Sequence, residues 1–432
     1  MNDHNGYQDS GFEWIGEIPN DWTLSRARKF FTERSEKVDD VTYPPLSVTM
    51  SGIVDQLSDV AKTSDGENRK LVKKYDFVIN SRSDRKGSSG IAPRDGSVSL
   101  INIVLEPHDI DPQFIQHLFK SYYFKEEFFR NGKGIHWDLW TTRWDQFKNI
   151  NIPIPSHKEQ RLISRYLDKK TSQIDSLINK IEKKIELLKE QRTSLINQYV
   201  TKGLDPNVEM KDSGIEWIGE IPKHWNIEVL KHISSVELSS VDRHEYEDEK
   251  RVNICHYPDV YKNEYIDSKS VLPSGTCSDN EFEKFSLRRG DILLTKDSES
   301  PDDIGIPTIV IEDLDNTVCG YHLAIIRMKS TDFHSEFIYR YIESKNVKDY
   351  FYVSSSGITR FGLGKGSIEN LKVVAPPEDE QKQIAHKISM VSRTTKQLSE
   401  RLLARKALLK EYRQSLISSV VTGKVRVTEE MI

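Results

Sequence analysis

The chain has 432 residues and a mass of 50.0 kDa, which predicts two to four domains at roughly 100–200 residues per domain. Its 62 basic and 67 acidic side chains give a net charge of −5, so no overall positive field marks a nucleic-acid-binding protein. No apolar run approaches the roughly 18–20 residues that cross a bilayer, the start lacks a signal-peptide core, and the three scattered cysteines suit neither a disulfide framework nor a metal site. We therefore expect a cytoplasmic protein.

The sequence repeats itself in two halves. Residues 9–22 read DSGFEWIGEIPNDW, and residues 212–225 read DSGIEWIGEIPKHW; we call these the tryptophan motifs. A second pair aligns Pro155 and Glu159-Gln160 with Pro376 and Glu380-Gln381. The order is tryptophan motif, variable segment and helix, and then the same three again. This plan predicts an internal pseudo-two-fold repeat, suited to a roughly two-fold target.

Between the repeats, short β-type runs bounded by turn residues predict strands at residues 76–80 and 98–104 in the first half and at 291–295 and 308–311 in the second. Short amphipathic stretches at 114–119 and 337–342 predict helices. We expect an α+β fold with two similar globular domains. The predicted boundaries are 1–150 for the first domain, 151–205 for the first helical arm, 206–375 for the second domain, and 376–432 for the second arm with its tail.

The two arms carry apolar residues every seven positions with charged residues between them, the pattern of a coiled coil. The repeat runs through Leu167, Ile174, Ile181, Leu188 and Leu195 in the first arm, and through Ile388, Leu402, Leu409 and Leu416 in the second. Gly203 and Gly423 lie where the helices should end. About 44 residues would form a rod of roughly 65 Å. Each could be a long helix packed on its own domain, but two equal heptad segments favour pairing with each other.

Charge is uneven along the chain. Each arm carries 11 basic and 7 acidic residues, whereas residues 206–375 carry 20 basic and 30 acidic residues, a net charge of −10. The acidic second domain counts against simple nucleic-acid binding. Locally, residues 81–90 form a cationic, hydroxyl-rich loop directly after a predicted strand, which suits phosphate contacts and base reading as well as it suits an ordinary solvated loop.

We find no motif for catalysis. The sequence lacks a nucleotide-binding P-loop, and Gly362-Leu363-Gly364 lies outside any dinucleotide-binding unit, so it indicates a turn or a phosphate-contacting loop. A loose nuclease-like pattern, Pro258-Asp259 with Asp267-Ser268-Lys269, is not repeated in the other half. His136 with Trp137 and Trp140 indicates an aromatic cluster and not a metal site.

The paired motifs resemble the specificity subunit of type I restriction–modification systems over essentially the whole chain. The resemblance rests on the two E-W-I-G-E-I-P-x-x-W motifs, the two P-x-x-x-E-Q helix starts and the strand Gly290-Asp291-Ile292-Leu293, which Tyr75-Asp76-Phe77-Val78 replaces in the first half. It implies a non-catalytic, sequence-specific DNA-binding subunit. Two target-recognition domains would each read half of a split sequence, on either side of an antiparallel pair of helices that sets the spacer.

The resemblance also implies the partners. Two modification subunits would bind S-adenosylmethionine and methylate DNA, and two restriction subunits would use ATP and Mg²⁺ to translocate and cleave it, so this chain would hold no cofactor or metal. For the DNA face we expect six residues in polar loops, because side chains there can reach a groove. They are Arg82, Arg85 and Lys86 in the first half, and Lys296, Arg360 and Lys365 in the second.

Two other classes remain open. A self-contained nuclease or methyltransferase would cut or methylate DNA as the purified chain alone. A coiled-coil scaffold that binds only proteins would copurify with partners and never confer sequence selectivity.

Overall fold

A computed structural model describes residues 6–57, 66–134 and 140–432, apart from the side chain of Ser83. The chain divides into two compact units. The first unit comprises Met1–Glu182 and Leu403–Ile432, and the second comprises Lys183–Leu402. Each unit therefore contains part of both long helices. No helix among these residues is long and apolar enough to span a membrane.

The first unit is built on two antiparallel sheets, with strand orders β10-β9-β12-β4 and β11-β8-β5, and on the short pairs β1-β2, β6-β7 and β3-β13. Its strands are β1 (Tyr7–Asp9), β2 (Glu17–Pro19), β3 (Thr23–Arg26), β4 (Phe31–Glu33), β5 (Lys37–Val38), β6 (Leu46–Val48), β7 (Ile53–Asp55), β8 (Arg69–Val72), β9 (Phe77–Asn80), β10 (Ser89–Ile91), β11 (Gly96–Val98), β12 (Asn102–Pro107) and β13 (Asn151–Ile154). Its helices are α1 (Pro112–Lys120), α2 (Tyr122–Arg130), α3 (Trp144–Phe147) and the start of α4 (His157–Lys202).

The second unit repeats this plan with a larger main sheet, β17-β25-β21-β23-β19, beside β20-β18-β24 and β22-β27-β26. Its strands are β14 (Met210–Asp212), β15 (Glu220–Pro222), β16 (Asn226–Val229), β17 (Ser234–Leu238), β18 (Lys250–Cys255), β19 (Tyr265–Ile266), β20 (Ser274–Cys277), β21 (Ile292–Thr295), β22 (Asp297–Ser298), β23 (Pro307–Val310), β24 (Thr317–Cys319), β25 (Leu323–Met328), β26 (Ser356–Gly357), β27 (Phe361–Gly362) and β28 (Lys372–Ala375). Its helices are α5 (Leu230–Ile233), α6 (Tyr257–Lys262), α7 (Asp279–Phe285), α8 (Ser335–Ile342), α9 (Lys345–Ser354), α10 (Lys365–Glu369) and most of α11 (Glu378–Val421). The prediction of an α+β fold is confirmed.

The strands β9 and β21, which lie inside the main sheets of the two units, begin in the same way although their sequences differ. Tyr75 has a φ of 75° and Gly290 a φ of 89°, so both residues turn the chain in the left-handed region that favours glycine. Each precedes a buried aspartate. Asp76 accepts hydrogen bonds from Arg34, and Asp291 accepts them from Arg327. A buried carboxylate needs such a partner to offset its loss of hydration, so this ion pair fixes both strand starts.

The long helices pack together within each unit, as predicted, and run in opposite directions. In the first unit, Asp175 and Glu182 of α4 form ion pairs with Arg413 and Lys406 of α11, so rising numbers on one helix meet falling numbers on the other. The heptad residues Ile174, Ile181 and Leu188 are buried, as are Ile388 and Leu416. The helices end next to Gly203 and Gly423, whose φ values of 75° and 78° provide the left-handed C-terminal turn.

Each tryptophan motif docks on the start of the long helix in its own unit. The Trp22 indole N–H donates to Glu159, and the Trp225 indole N–H donates to Glu380 at 3.0 Å. Both tryptophans are buried in the main core of their unit. In each unit the tryptophan motif therefore contacts the P-x-x-x-E-Q helix start, and this contact anchors the arm to its globular domain.

Candidate nucleic-acid interface

The first predicted loop follows β9 directly, and its shape is fixed by its own side chains. The Asn80 side chain accepts a hydrogen bond from the Arg82 N–H at 3.0 Å, and the Asn80 N–H donates to the carbonyl of Ser88. The chain then makes a single 3-10 turn at Ser83–Arg85. Arg82 and Arg85 are exposed, and neither forms an ion pair within the described ranges. Two unpaired guanidinium groups on a short, braced turn suit recognition of base edges or phosphates.

Arg85 lies at a cavity of about 140 Å³ in the first unit. Asn80, Asn102 and Gln56 also line it, together with apolar residues such as Leu46 and Leu57. The buried Arg69 guanidinium, also in the lining, donates to Ser97. Asn102 is buried, and its side-chain oxygen has no hydrogen-bond partner in the described part of the chain. Amide side chains can pair with adenine and guanidinium groups with guanine. This cavity therefore has the donors and acceptors needed to read bases.

Arg82 lies at a second cavity, of about 440 Å³, which shares Asn102 with the first. Arg143 supplies further positive charge there, Lys70 is paired with Glu33 at 3.3 Å, and Asp145 supplies a second carboxylate. Arg143 comes from a segment 61 positions further along the chain than Arg82. Sequence reasoning missed Asn102 and Arg143, because only the fold brings them to the loop. The sequence offered one sign of Asn102, which is a polar residue within a predicted apolar strand.

Lys86 differs from Arg82 and Arg85 in that its charged group is ion-paired. Its ammonium group lies 2.7 Å from both carboxylate oxygens of Glu126 and 4.6 Å from the ring centre of Phe129. The loop is thereby tied to one face of α2. A DNA phosphate would have to compete with Glu126 for Lys86. The predicted DNA contact therefore requires Lys86 to exchange Glu126 for the phosphate.

In the second unit, Lys296 and Arg360 come together around Asp297. The Arg360 guanidinium lies 2.9 Å from the Asp297 carboxylate and also contacts the ring of His322. The Lys296 ammonium donates to the carbonyl of Ser239 at 3.2 Å and lies over the ring of Tyr321. Burial lowers the pKa of Lys296. This cluster is more neutral than the arginine pair of the first unit, in keeping with the acidic balance of its segment.

Lys365 lies apart from that cluster, at the first residue of α10. Its ammonium is 3.6 Å from Glu237 and 3.8 Å from Glu369. The structure therefore brings together Arg82 with Arg85 in one unit and Lys296 with Arg360 in the other. The DNA contacts assigned to all six residues stay predictions.

The same pattern of backbone hydrogen bonds, which we call the backbone frame, positions the two clusters. In the first unit the Thr142 N–H donates to the carbonyl of Ser81, and the adjacent Arg82 pairs with Thr141. In the second unit the Leu363 N–H donates to the carbonyl of Lys296, and the adjacent Asp297 pairs with Gly362. Arg82 in one unit thus corresponds to Asp297 in the other. An identical frame with opposite charges at one position can present two different surfaces to a ligand.

The nuclease-like pattern has a structural explanation. Asp259 accepts a hydrogen bond from the His256 N–H at the start of α6, and Asp267 accepts one from the Lys269 N–H in a turn. No group of three or more His, Cys, Asp or Glu side chains in the described ranges could hold a metal ion. His136 and Trp137 lie outside those ranges, whereas Trp140 donates to the carbonyl of Phe129.

Comparison with known families gives one match that spans most of the chain. The family described as "Type I restriction modification DNA specificity domain" matches residues 23–187 and again residues 252–405. The two matches follow the internal repeat.

Curated relatives share this description. The chain is 26% identical over 319 residues to the type I restriction enzyme MjaVIII specificity subunit of Methanocaldococcus jannaschii, covering 72% of this chain and 70% of that one. It is 22% identical over 364 residues to the EcoKI specificity subunit of Escherichia coli strain K12, covering 81% and 75%.

Two solved structures share the fold. One comes from a study of complex assembly and conformational transition of the type I restriction–modification system; it has a TM-score of 0.72 at 13% identity and covers 94% of this chain and 99% of that one. The other is the HsdS subunit from Thermoanaerobacter tengcongensis, with a TM-score of 0.53 at 14% identity, covering 94% and 98%.

Proposed function

The chain belongs to the type I restriction–modification DNA specificity family, and from this premise we propose that each of its two units reads one half of a bipartite DNA target. The chain is a sequence-specific DNA-binding subunit, and it is not itself an enzyme. We assign target recognition to residues 1–150 and 206–375, and the arms to residues 151–205 and 376–432. The arms set the number of base pairs between the two half-sites.

The observation that carries this proposal is the repeated frame with different side chains. The frame at Ser81 and Thr142 recurs at Lys296 and Leu363, whereas the groups that it presents differ in charge. Base-specific contacts depend on the placement of individual donors and acceptors, and phosphate contacts only fix the register. One frame with two side-chain sets is therefore suited to two different half-sites.

Partners supply the chemistry. Specificity subunits of this family work in complexes with DNA and with modification and restriction subunits. We propose two of each per complex, with S-adenosylmethionine bound by the modification subunits, and ATP and Mg²⁺ by the restriction subunits. The arms provide the repeated surfaces for such paired partners. The complex would act on DNA in the cytoplasm.

The test is methylation of a randomised DNA library by modification subunits, with and without this chain. We expect methylation of a single split motif only when the chain is present. Methylation or cleavage by the chain alone would identify a self-contained enzyme. A complex that assembles but modifies DNA without sequence preference would identify a protein scaffold. Either result would overturn the proposal.

A further inference from the structure

A third cavity lies in the first unit, where α2 begins beside the end of α11. It has a volume of about 330 Å³. Tyr122 and Tyr123 line it from α2, Gln414 and Ser418 line it from α11, and Lys424 lies just beyond that helix. The carboxylate of Glu411 also reaches the cavity, and it is exposed. None of these residues belongs to the predicted DNA face.

The cavity contains hydrogen-bonding groups without partners. Ser418 is 3% exposed. Its hydroxyl and the side-chain N–H₂ of Gln414 are buried and find no hydrogen-bond partner in the part of the chain described here. Ser121 caps α2 by accepting from the Phe124 N–H, which leaves the N–H groups of Tyr122 and Tyr123 without an intrahelical acceptor. A buried, unpaired donor is costly, so an acceptor atom that reached these groups would stabilise them.

In the second unit, a side chain of the protein itself fills the corresponding position. The repeat aligns Ser418 with Asn197 and Tyr123 with Asn346. The Asn197 side chain accepts a hydrogen bond from the Asn346 N–H at 3.3 Å, at the start of α9. In the first unit the shorter serine leaves this cap open. An external oxygen can take the place that the asparagine oxygen occupies in the second unit.

The charges at this cavity favour an anion. The first turn of a helix carries a partial positive charge, and exposed N–H groups there bind phosphate and sulfate. The Lys424 ammonium lies over the ring of Tyr123. Further cations crowd the adjacent surface, where burial, together with the charge of Arg413, lowers the pKa of Lys120 and of Lys125. Glu411 is the one carboxylate among the residues that line the cavity. Asp175 pairs with Arg413 and Glu126 lies near Lys125, so Lys120 and Lys424 are the cations of this surface without an ion pair in the described part of the chain.

The cavity is continuous with the predicted DNA face through α2. Tyr122, Glu126 and Phe129 are spaced along one face of that helix, and Lys86 of the loop binds Glu126 and lies over Phe129. Lys125 completes the link, because its side chain packs so closely on Gly87 that an added Cβ would lie 2.7 Å away. Tyr122 is about one helical turn, roughly 5.4 Å, from Glu126. A duplex backbone that runs from the loop along this face of α2 would reach the cavity.

We propose that this cavity is a phosphate-binding site for the DNA backbone, formed by the start of α2 with Gln414, Ser418 and Lys424. The inference rests on the proposed DNA-binding function. The contact carries no sequence information, but it fixes where the first half-site lies on the unit. It also makes the two units unequal, since Asn197 closes the corresponding position in the second.

The test is Ser418→Asn, which installs the side chain that closes the site in the second unit. The full chain with its modification subunits would be titrated with a duplex carrying the mapped target at several salt concentrations. We expect about tenfold weaker binding and a slope of log K against log salt that is smaller by about one. Lys424→Gln, at an exposed position, should reduce the slope similarly, and the double variant should lose little more. Ser194→Asn, the same change on an exposed face of α4, is the matched control.

The outcomes separate the two proposals. If the wild-type complex shows no preference for its target, the proposed function fails. If it shows that preference and both variants keep the wild-type affinity and slope, the phosphate site alone is wrong. A Ser418→Asn chain that loses its modification subunits while retaining its salt slope would show that the cavity receives a protein partner, which also overturns the site. Lys424→Gln decides the matter if Ser418→Asn fails to fold.

Discussion

Two buried glutamines, Gln160 and Gln381, anchor the start of each arm helix, and replacing them with alanine should loosen each unit by a measurable amount. The Gln160 oxygen accepts from the Asp111 N–H at 2.8 Å, and its N–H₂ group donates to the carbonyl of Pro155. The Gln381 oxygen accepts from the His334 N–H at 2.9 Å. Its N–H₂ group donates both to Asp332 and to Pro376. Both glutamines are 1% exposed.

The expected cost follows from these contacts. Gln160→Ala leaves a backbone N–H and a carbonyl without partners, at about 1–3 kcal/mol for a group left unsatisfied. Gln381→Ala removes one more hydrogen bond, so its cost should be larger. For units of roughly 200 residues, 1 kcal/mol lowers Tm by about 2–4 °C. Two such groups cost about 2–6 kcal/mol together. We therefore expect Gln160→Ala to lower the Tm of the first unit by about 4–24 °C, and Gln381→Ala to lower that of the second by more.

Differential scanning calorimetry of the full chain measures both effects. Gln191→Ala and Gln397→Ala, at exposed positions of α4 and α11, are the controls and should leave Tm nearly unchanged. The reasoning would be refuted if Gln160→Ala and Gln381→Ala changed Tm no more than the controls. It would also be refuted if Gln160→Ala cost more than Gln381→Ala.

Three further results are expected. Arg85→Ala should weaken target binding by about 1–3 kcal/mol and relax one position of the first half-site only, as measured by binding to a library of target variants. Arg94→Ala, at a half-buried arginine that is ion-paired with Asp55, is the control, and equal effects of the two variants would contradict the prediction. Inserting four residues after Ile181 and four after Arg405 lengthens both arms by about 6 Å. Methylation mapping should then find more base pairs between the half-sites, or no activity. An unchanged spacing at full activity would show that the arms do not set it. A fragment of residues 1–212 exposes the apolar heptad face of one arm and should form a homodimer. With modification subunits, it should methylate an inverted repeat of the first half-site. A strictly monomeric fragment in sedimentation would contradict this.

Local patterns were enough to predict the arms and the strands β9, β21 and β23. The strand predicted at residues 98–104 is divided in the structure between the end of β11, a turn and the start of β12, and β25 was not predicted. The heptad spacing predicts α4 and α11 because it reports which face of a helix is buried, and the apolar runs predict β9 and β21. One departure proved harmless. Tyr75 replaces the glycine of the second half, yet it adopts the same left-handed turn, since the ion pair between Asp76 and Arg34 holds that strand start.

The site could be predicted only in part. Arg82 and Arg85 follow a strand, so their exposure could be inferred from the loop composition. Asn102 and Arg143 join them through tertiary contacts that no local pattern reports. The same holds for the carboxylates that neutralise Lys86 and Arg360, because each acidic partner lies at least 40 positions away in the sequence. Loop composition identifies cations, but the fold decides which of them are free.

The most direct test of the central claim, that each unit reads its own half-site, is an exchange of one recognition segment. Residues 23–150 would be replaced by the corresponding segment of a relative with a different target, and methylated positions would be mapped in cells that carry the complete system. The account predicts a new first half-site, with the second half-site and the gap unchanged. A change in both half-sites together would contradict it.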